Sequence, residues 1–311
     1  PFLVAVCAVA VVLAACGGAP EVRRVAIVNQ LDSLNAIVET FEEELKSADE
    51  SIQFIYLDRS LDFEDGVEAL LEQAPDVIAT LNTPVSLGVG AQAQPAGVPQ
   101  VFGMVTDPLG SDLVEDRTLP GRNRTGVGLL QIQKTVELTV RATGADAIAV
   151  LHQPSDPASV SGLALAEEAA ADLGVDIVLM VVPEDDDLDD VLRLGPPAGA
   201  DAFLLIGSPF AARNLGDISL VIRTWGIPAA SALTVDSLPT GFALGVAPDS
   251  GDIGRQMAER ALAIMNEGEA GKIPVGVADN VTLIDLDEIS RHSIQISDEL
   301  LVEFEQILGG T

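Results

Sequence analysis

Cysteine is almost missing from this chain. Only Cys7 and Cys16 occur, both within the first sixteen residues, so the rest of the chain cannot be held by disulfides and must be stabilised by its core. Histidine is equally scarce. His152 and His292 stand far apart and have no thiol beside them, too few for a histidine-based zinc site. Basic residues are outnumbered, 16 against 48 acidic, giving a net charge of -32. Such a field repels phosphate backbones, and no basic stripe interrupts it, so nucleic acid is excluded as a partner. The acidity itself is read as solvation. One Trp, one Tyr and nine Phe leave few stacking platforms, of which Phe102 and Phe210 are expected near a cleft. No G-x-S-x-G nucleophile elbow occurs, and NQLDSLN fills the first strand turn where a dinucleotide fold would place G-x-G-x-x-G. PEDDDLDDVL (183–192) is acidic but lacks the spacing of a calcium loop and reads as a solvated helix start. No catalytic residue, metal or cofactor is expected, and the chain is not read as an enzyme.

Long hydrophobic runs are absent too. The one candidate, FLVAVCAVAVVLAA (2–15), is shorter than the roughly 20 residues that a membrane-crossing helix needs, and it reads as the apolar part of a signal peptide whose basic flank lies upstream of Pro1. The residues that follow it, L-A-A-C at 13–16, resemble a bacterial lipobox. That resemblance implies cleavage before Cys16 and a diacylglycerol on its thiol, with residues 16–22 as the lipidated linker and 1–15 as the leader.

What remains is rich enough in apolar residues for sizeable cores, at 48% hydrophobic overall, and about 290 residues suit two lobes. VAIV (25–28), IQFIYL (52–57), DVIATL (76–81) and VPQVFGMV (98–105) read as buried strands. Between them, LNAIVETFEEEL places Leu34, Ile37, Val38, Phe41 and Leu45 on one helical face, and 66–73 and TPVSLGVGAQAQ read as further helices. A second series follows: helix 133–143, strand AIAVL (147–151), helix 161–174, strand 175–182, strand DAFLLIG (201–207), a helix near 211–224, and strands 227–231 and 241–246. A helix at 252–268, a strand at 281–289 and a terminal helix SDELLVEFEQIL end the chain. The alternation predicts an α/β protein of two Rossmann-like lobes, each a parallel sheet flanked by helices. Crossings near 128–131, 246–248 and 280–285 predict a three-stranded hinge, with one lobe built from 23–128 plus 247–281 and the other from 129–246 plus 282–311.

Parallel sheets place ligands at the carboxyl ends of their strands. The polar residues at those ends are therefore the candidate ligand-binding set: Asn29 and Asn35, Asn82 and Thr83, Thr106 and Asp107 in the first lobe. In the second lobe they are Ser155, Ser159, Ser208, Phe210, Ser231 and Asp236, with Ser237 next to the last. Asp107 either accepts from an ammonium group or starts a proline turn; Asn82 and Thr83 either meet a ligand or cap the next helix.

The ordered segments VTDPLGSDLV (105–114), PGRNRTGV (120–127), HQPSDPAS (152–159), IPAASALTVDS (227–237) and PDSGDIGRQMAE (248–259) are similar to the substrate-binding lipoproteins of ABC importers. The resemblance is to the type I periplasmic-binding-protein-like family that includes tryptophan/tyrosine-binding proteins. It implies an extracytoplasmic, lipid-anchored monomer that captures a small organic solute between its lobes and passes it to the transmembrane permease. A ligand-sensing receptor domain that signals to a membrane partner is the alternative use of the same architecture. Ser208-Pro209-Phe210 and Ala232-Leu233 depart from the polar residues the resemblance leads one to expect, which argues against an aromatic amino acid as ligand.

Overall fold

The computed structural model describes residues 22–184, 187–233, 238–266 and 268–310; Cys7, Cys16, Asp236 and Ser237 lie outside the described residues. The chain begins with β1 (Arg24–Val28), α1 (Asn35–Ala48), β2 (Gln53–Tyr56), α2 (Phe63–Leu71), β3 (Val77–Leu81), α3 (Thr83–Ala96), β4 (Gln100–Val105) and β5 (Arg124–Gly128). It continues with α4 (Gln131–Thr143), β6 (Ala147–His152), α5 (Pro157–Leu173), β7 (Asp176–Val181), α6 (Leu188–Leu194) and β8 (Ala202–Leu205). Then come α7 (Pro209–Arg213), α8 (Leu215–Ile222), β9 (Ala229–Ser231), β10 (Leu244–Pro248) and α9 (Ser250–Met265). The last elements are β11 (Gly276–Val277), β12 (Asn280–Asp285), α10 (Leu286–Arg291), α11 (Asp298–Leu301) and β13 (Gln306–Leu308).

These strands form two sheets, ordered β11-β5-β4-β3-β1-β2 and β13-β12-β10-β9-β8-β6-β7. Each is the spine of one α/β lobe. Every pairing in the first sheet is parallel; in the second, only β10 with β12 is antiparallel. The chain changes sheet three times: after β5, between β10 and α9, which packs on the first lobe, and between β11 and β12.

Both faces of each sheet are covered, which is why its strands read as unbroken apolar runs. In the first lobe, Ile37, Phe41 and Leu45 of α1 join Ile253 and Met257 of α9 on one face, with α2 and α3 on the other. The expected stripe on α1 is buried apart from Val38, which is half-buried. In the second lobe, α4 and α5 cover one face with Leu300 and Phe304, while α6, α7 and α8 cover the other. There Phe203 meets Trp225 edge to face at 5.2 Å. Among the described residues no helix is long and apolar enough to cross a membrane.

The end of the chain departs from the expected pattern. The terminal helix expected over 297–308 stops after four residues, because Phe304 turns into the core and Gln306–Leu308 adds a parallel edge strand to β12. The strand expected over 281–289 likewise ends at Asp285, whose side chain caps α10.

Candidate functional site

A cleft with about 430 Å³ of space, measured to its open mouth, is lined by segments that follow carboxyl ends of strands in both sheets. From the first sheet come Leu31 and Leu34 after β1, Asn82 after β3 and Thr106 after β4, together with Met104 inside β4. Leu129 and Gln131 stand where the chain leaves β5 for the second lobe, and Ser208, Pro209 and Leu233 follow β8 and β9.

The first-lobe wall is built with local strain. Asn82 sits at φ 73°, ψ 161°, a region few side chains tolerate, and is held there twice: its N–H donates to the Gly103 carbonyl at 3.0 Å, and its Oδ1 accepts from the Val85 N–H at 3.0 Å to cap α3. Next to it the β4–β5 ladder breaks register between Phe102 and Val105, and Met104 takes a left-handed φ of 55°. A bulge of this kind re-aims a side chain, and here Met104 is turned into the cleft. Thr106 is buried beside it; its N–H donates to Thr83 Oγ1 at 3.3 Å. On the opposite wall Ser208 caps α7, its Oγ accepting from the Ala211 N–H at 3.1 Å.

Of the expected binding residues, the structure brings Asn82, Thr106 and Ser208 into this cleft, with Thr83 directly behind Thr106. The others lie elsewhere. Asn29 and Asn35 bond each other at 3.0 Å and face a separate recess with Tyr56 and Arg59. The Asp107 carboxylate, a candidate ammonium acceptor, instead serves the turn: Oδ1 accepts from the Leu109 N–H at 3.1 Å and pairs with Arg117 at 3.3 Å. Ser155 is exposed ahead of α5, whereas Ser159 is buried with its Oγ 3.1 Å from His152 Nδ1 and accepting from the Gln153 N–H. Burial holds the His152 imidazole below its ordinary pKa. Ser231 caps its own turn by accepting from the Leu233 N–H at 3.1 Å. Asp236 lies outside the described residues.

Neither aromatic expected near the cleft lines it. Phe210 is 2% exposed and packs in the cluster that holds Trp225. Phe102 points into a separate cluster with Leu113 and Val114. Conversely, Leu31, Ser33, Met104, Gln131 and Leu233 were not expected in the site. Gln131 opens α4 and is 1% exposed, and its Oε1 accepts no hydrogen bond from the described residues. Among the described residues, no ionisable side chain lines the cleft.

A family model described as ABC transporter substrate binding protein matches residues 22–308. No curated protein matches the chain. Among solved structures, an ABC domain from Streptococcus pneumonia in complex with L-Trp superposes with a TM-score of 0.81 at 19% identity, covering 92% of this chain and 99% of that one. A conserved domain protein from Vibrio cholerae gives 0.81 at 22% identity, covering 92% and 100%. The ligand-free, open substrate-binding protein CD0873 of Clostridium difficile gives 0.67 at 18% identity, covering 93% and 99%.

Proposed function

Because the chain belongs to the family of ABC transporter substrate-binding proteins, we propose that it is the extracytoplasmic receptor of an importer, tethered through a lipid on Cys16. It captures one small organic solute in the cleft and delivers it to the permease. The observation that carries this reading is the composition of the cleft wall: Asn82 and Thr106 belong to one lobe, Ser208 and Leu233 to the other. A solute touching both walls stabilises the closed arrangement over the open one by the contacts it gains only on closure. The three crossings between sheets are where the lobes turn, and the changed outer surface is what the permease reads. A protein working this way needs no covalent chemistry and no second copy. L-Trp in the pneumococcal structure shows that this fold can hold a solute of amino-acid size.

The test is a thermal-shift screen of the purified protein against amino acids, nucleosides, sugars and small acids. A solute that binds only the folded state raises the melting temperature by mass action. The expected hit disappears in Ser208→Trp, which fills the cleft, and contracts the protein in small-angle X-ray scattering. Hits that survive Ser208→Trp, or an absence of hits, would refute solute capture at this cleft.

A further inference from the structure

Several polar groups of the cleft are engaged by the protein itself. Asn82 Oδ1 accepts from Val85, Ser208 Oγ accepts from Ala211, and the Thr106 N–H donates to Thr83. Gln131 is different. The residue is 1% exposed and lines the cleft, yet its Oε1 is enclosed and receives no donor from the described residues. An enclosed amide oxygen left unpaired is unfavourable, and Gln131 carries such a group on the wall of the cleft.

The charges are also arranged around the cleft rather than in it. Asp32, between the lining residues Leu31 and Ser33, pairs with Arg59 at 3.0 Å, and Asp107, next to Thr106, pairs with Arg117 at 3.3 Å. The walls that remain are Leu31, Leu34, Met104, Leu129, Pro209 and Leu233, with amide and hydroxyl groups between them. A solute with net charge enclosed here would lose its hydration without meeting a counter-charge among the described residues.

We infer that Gln131 determines specificity. Its side-chain amide makes a hydrogen bond with the solute, and the solute is a small, largely apolar molecule of zero net charge. This deepens the solute-capture reading and rests on it. Position 131 suits the role, since Gln131 starts the first helix after the crossing from β5 and a bond to it ties the solute to the segment on which the lobes turn.

The test is calorimetric titration with four matched classes: indole and thymine as neutral probes, L-tryptophan and L-leucine as zwitterions, indoleacetate and isocaproate as anions, tryptamine and isoamylamine as cations. The tightest binder is expected to carry no net charge and to lose about tenfold or more in affinity in Gln131→Leu, and likewise in Gln131→Met, as expected for an unmade buried hydrogen bond. The melting temperature of ligand-free Gln131→Leu should equal or exceed that of the parent, because an unpaired polar group has been removed. A fall would mean that the amide has a structural duty, which overturns the inference. So would a tightest binder with net charge, including a cation whose binding is lost in Asp236→Asn, or an affinity unchanged in Gln131→Leu. Those results leave solute capture standing. Failure of all eight probes to bind, with a hit elsewhere in the thermal-shift screen, overturns the inference and leaves solute capture standing; failure in both overturns both readings.

Discussion

The backbone N–H of Phe210 donates to Oδ2 of Asp156 at 3.2 Å, while Oδ1 of the same carboxylate accepts from the Ala158 N–H at 2.9 Å. One buried side chain therefore starts two helices, α5 as its own N-cap and α7 across a gap of 54 residues. The residues just before Phe210, Ser208 and Pro209, are cleft wall. Replacing Asp156 with Ala removes a cap and a bond to a charged acceptor, and should cost about 2–3 kcal/mol by urea denaturation. Asp156→Asn keeps one acceptor oxygen and should cost less. Both variants should also bind solute more weakly, since the α7 end of the wall is no longer held.

The pair Thr83 and Thr106 should behave similarly on the other wall. Thr83 is fully buried and its hydroxyl is the acceptor for the Thr106 N–H. Thr83→Val keeps the shape but leaves that N–H unpaired, so it should lose about 1–3 kcal/mol, whereas Thr83→Ser should fall within about 1 kcal/mol of the parent. If the two variants unfold at the same urea concentration, the hydroxyl has no role in holding the β4 end.

These two pairs show what the sequence makes legible and what it hides. Strand ends could be found because β1, β3, β4 and β8 are apolar runs that stop at polar residues, and from them Asn82, Thr106 and Ser208 followed. Whether a polar residue at such an end faces outward to solute or back to its own helix depends on one rotamer and one backbone torsion. Asp107 was therefore ambiguous, and in the fold it bonds Leu109 and Arg117. Met104 carried no local signal at all, since its inward turn comes from a bulge set by pairing with β5. Gln131 had a faint one: it directly follows the apolar TGVGLL at the expected crossing. SDELLVEFEQIL has helical spacing and so predicts a helix where the edge strand β13 forms, because the unpaired edge of β12 overrides that spacing.

His152 makes stability depend on pH. Burial lowers its pKa in the folded protein, outweighing the Ser159 hydrogen bond and the nearby carboxylates Glu167 and Asp156, which pull upward. The unfolded chain therefore takes up the proton first as pH falls. The stabilisation is fully present above the unfolded value of about 6.5 and is lost as pH drops through it toward the folded value. Melting temperature should decline between about pH 7 and pH 5, and His152→Gln should flatten part of that decline. His292, lowered mainly by burial as well, should account for further slope, so the double variant should be flatter than either single one.

The contact of α9 with α1 offers the sharpest packing test. A side-chain carbon at Gly254 would stand 2.7 Å from Thr40 Cβ and 2.8 Å from the Ile37 carbonyl oxygen, closer than real contacts allow, and one of those neighbours is backbone. Gly254→Ala must therefore push the two helices apart, at a cost of about 1–3 kcal/mol despite the better helix propensity of alanine. Gly251, three residues earlier on the same helix, would meet only Asp249 Oδ1 at 3.2 Å. Gly251→Ala should thus be neutral or stabilising by up to about 1 kcal/mol. Because α9 leaves directly from the crossing at 248–250, displacing it also shifts one of the three connections between the two sheets. Gly254→Ala should then weaken solute binding along with stability, while Gly251→Ala leaves binding unchanged, which separates the geometry of the crossing from glycine content as such.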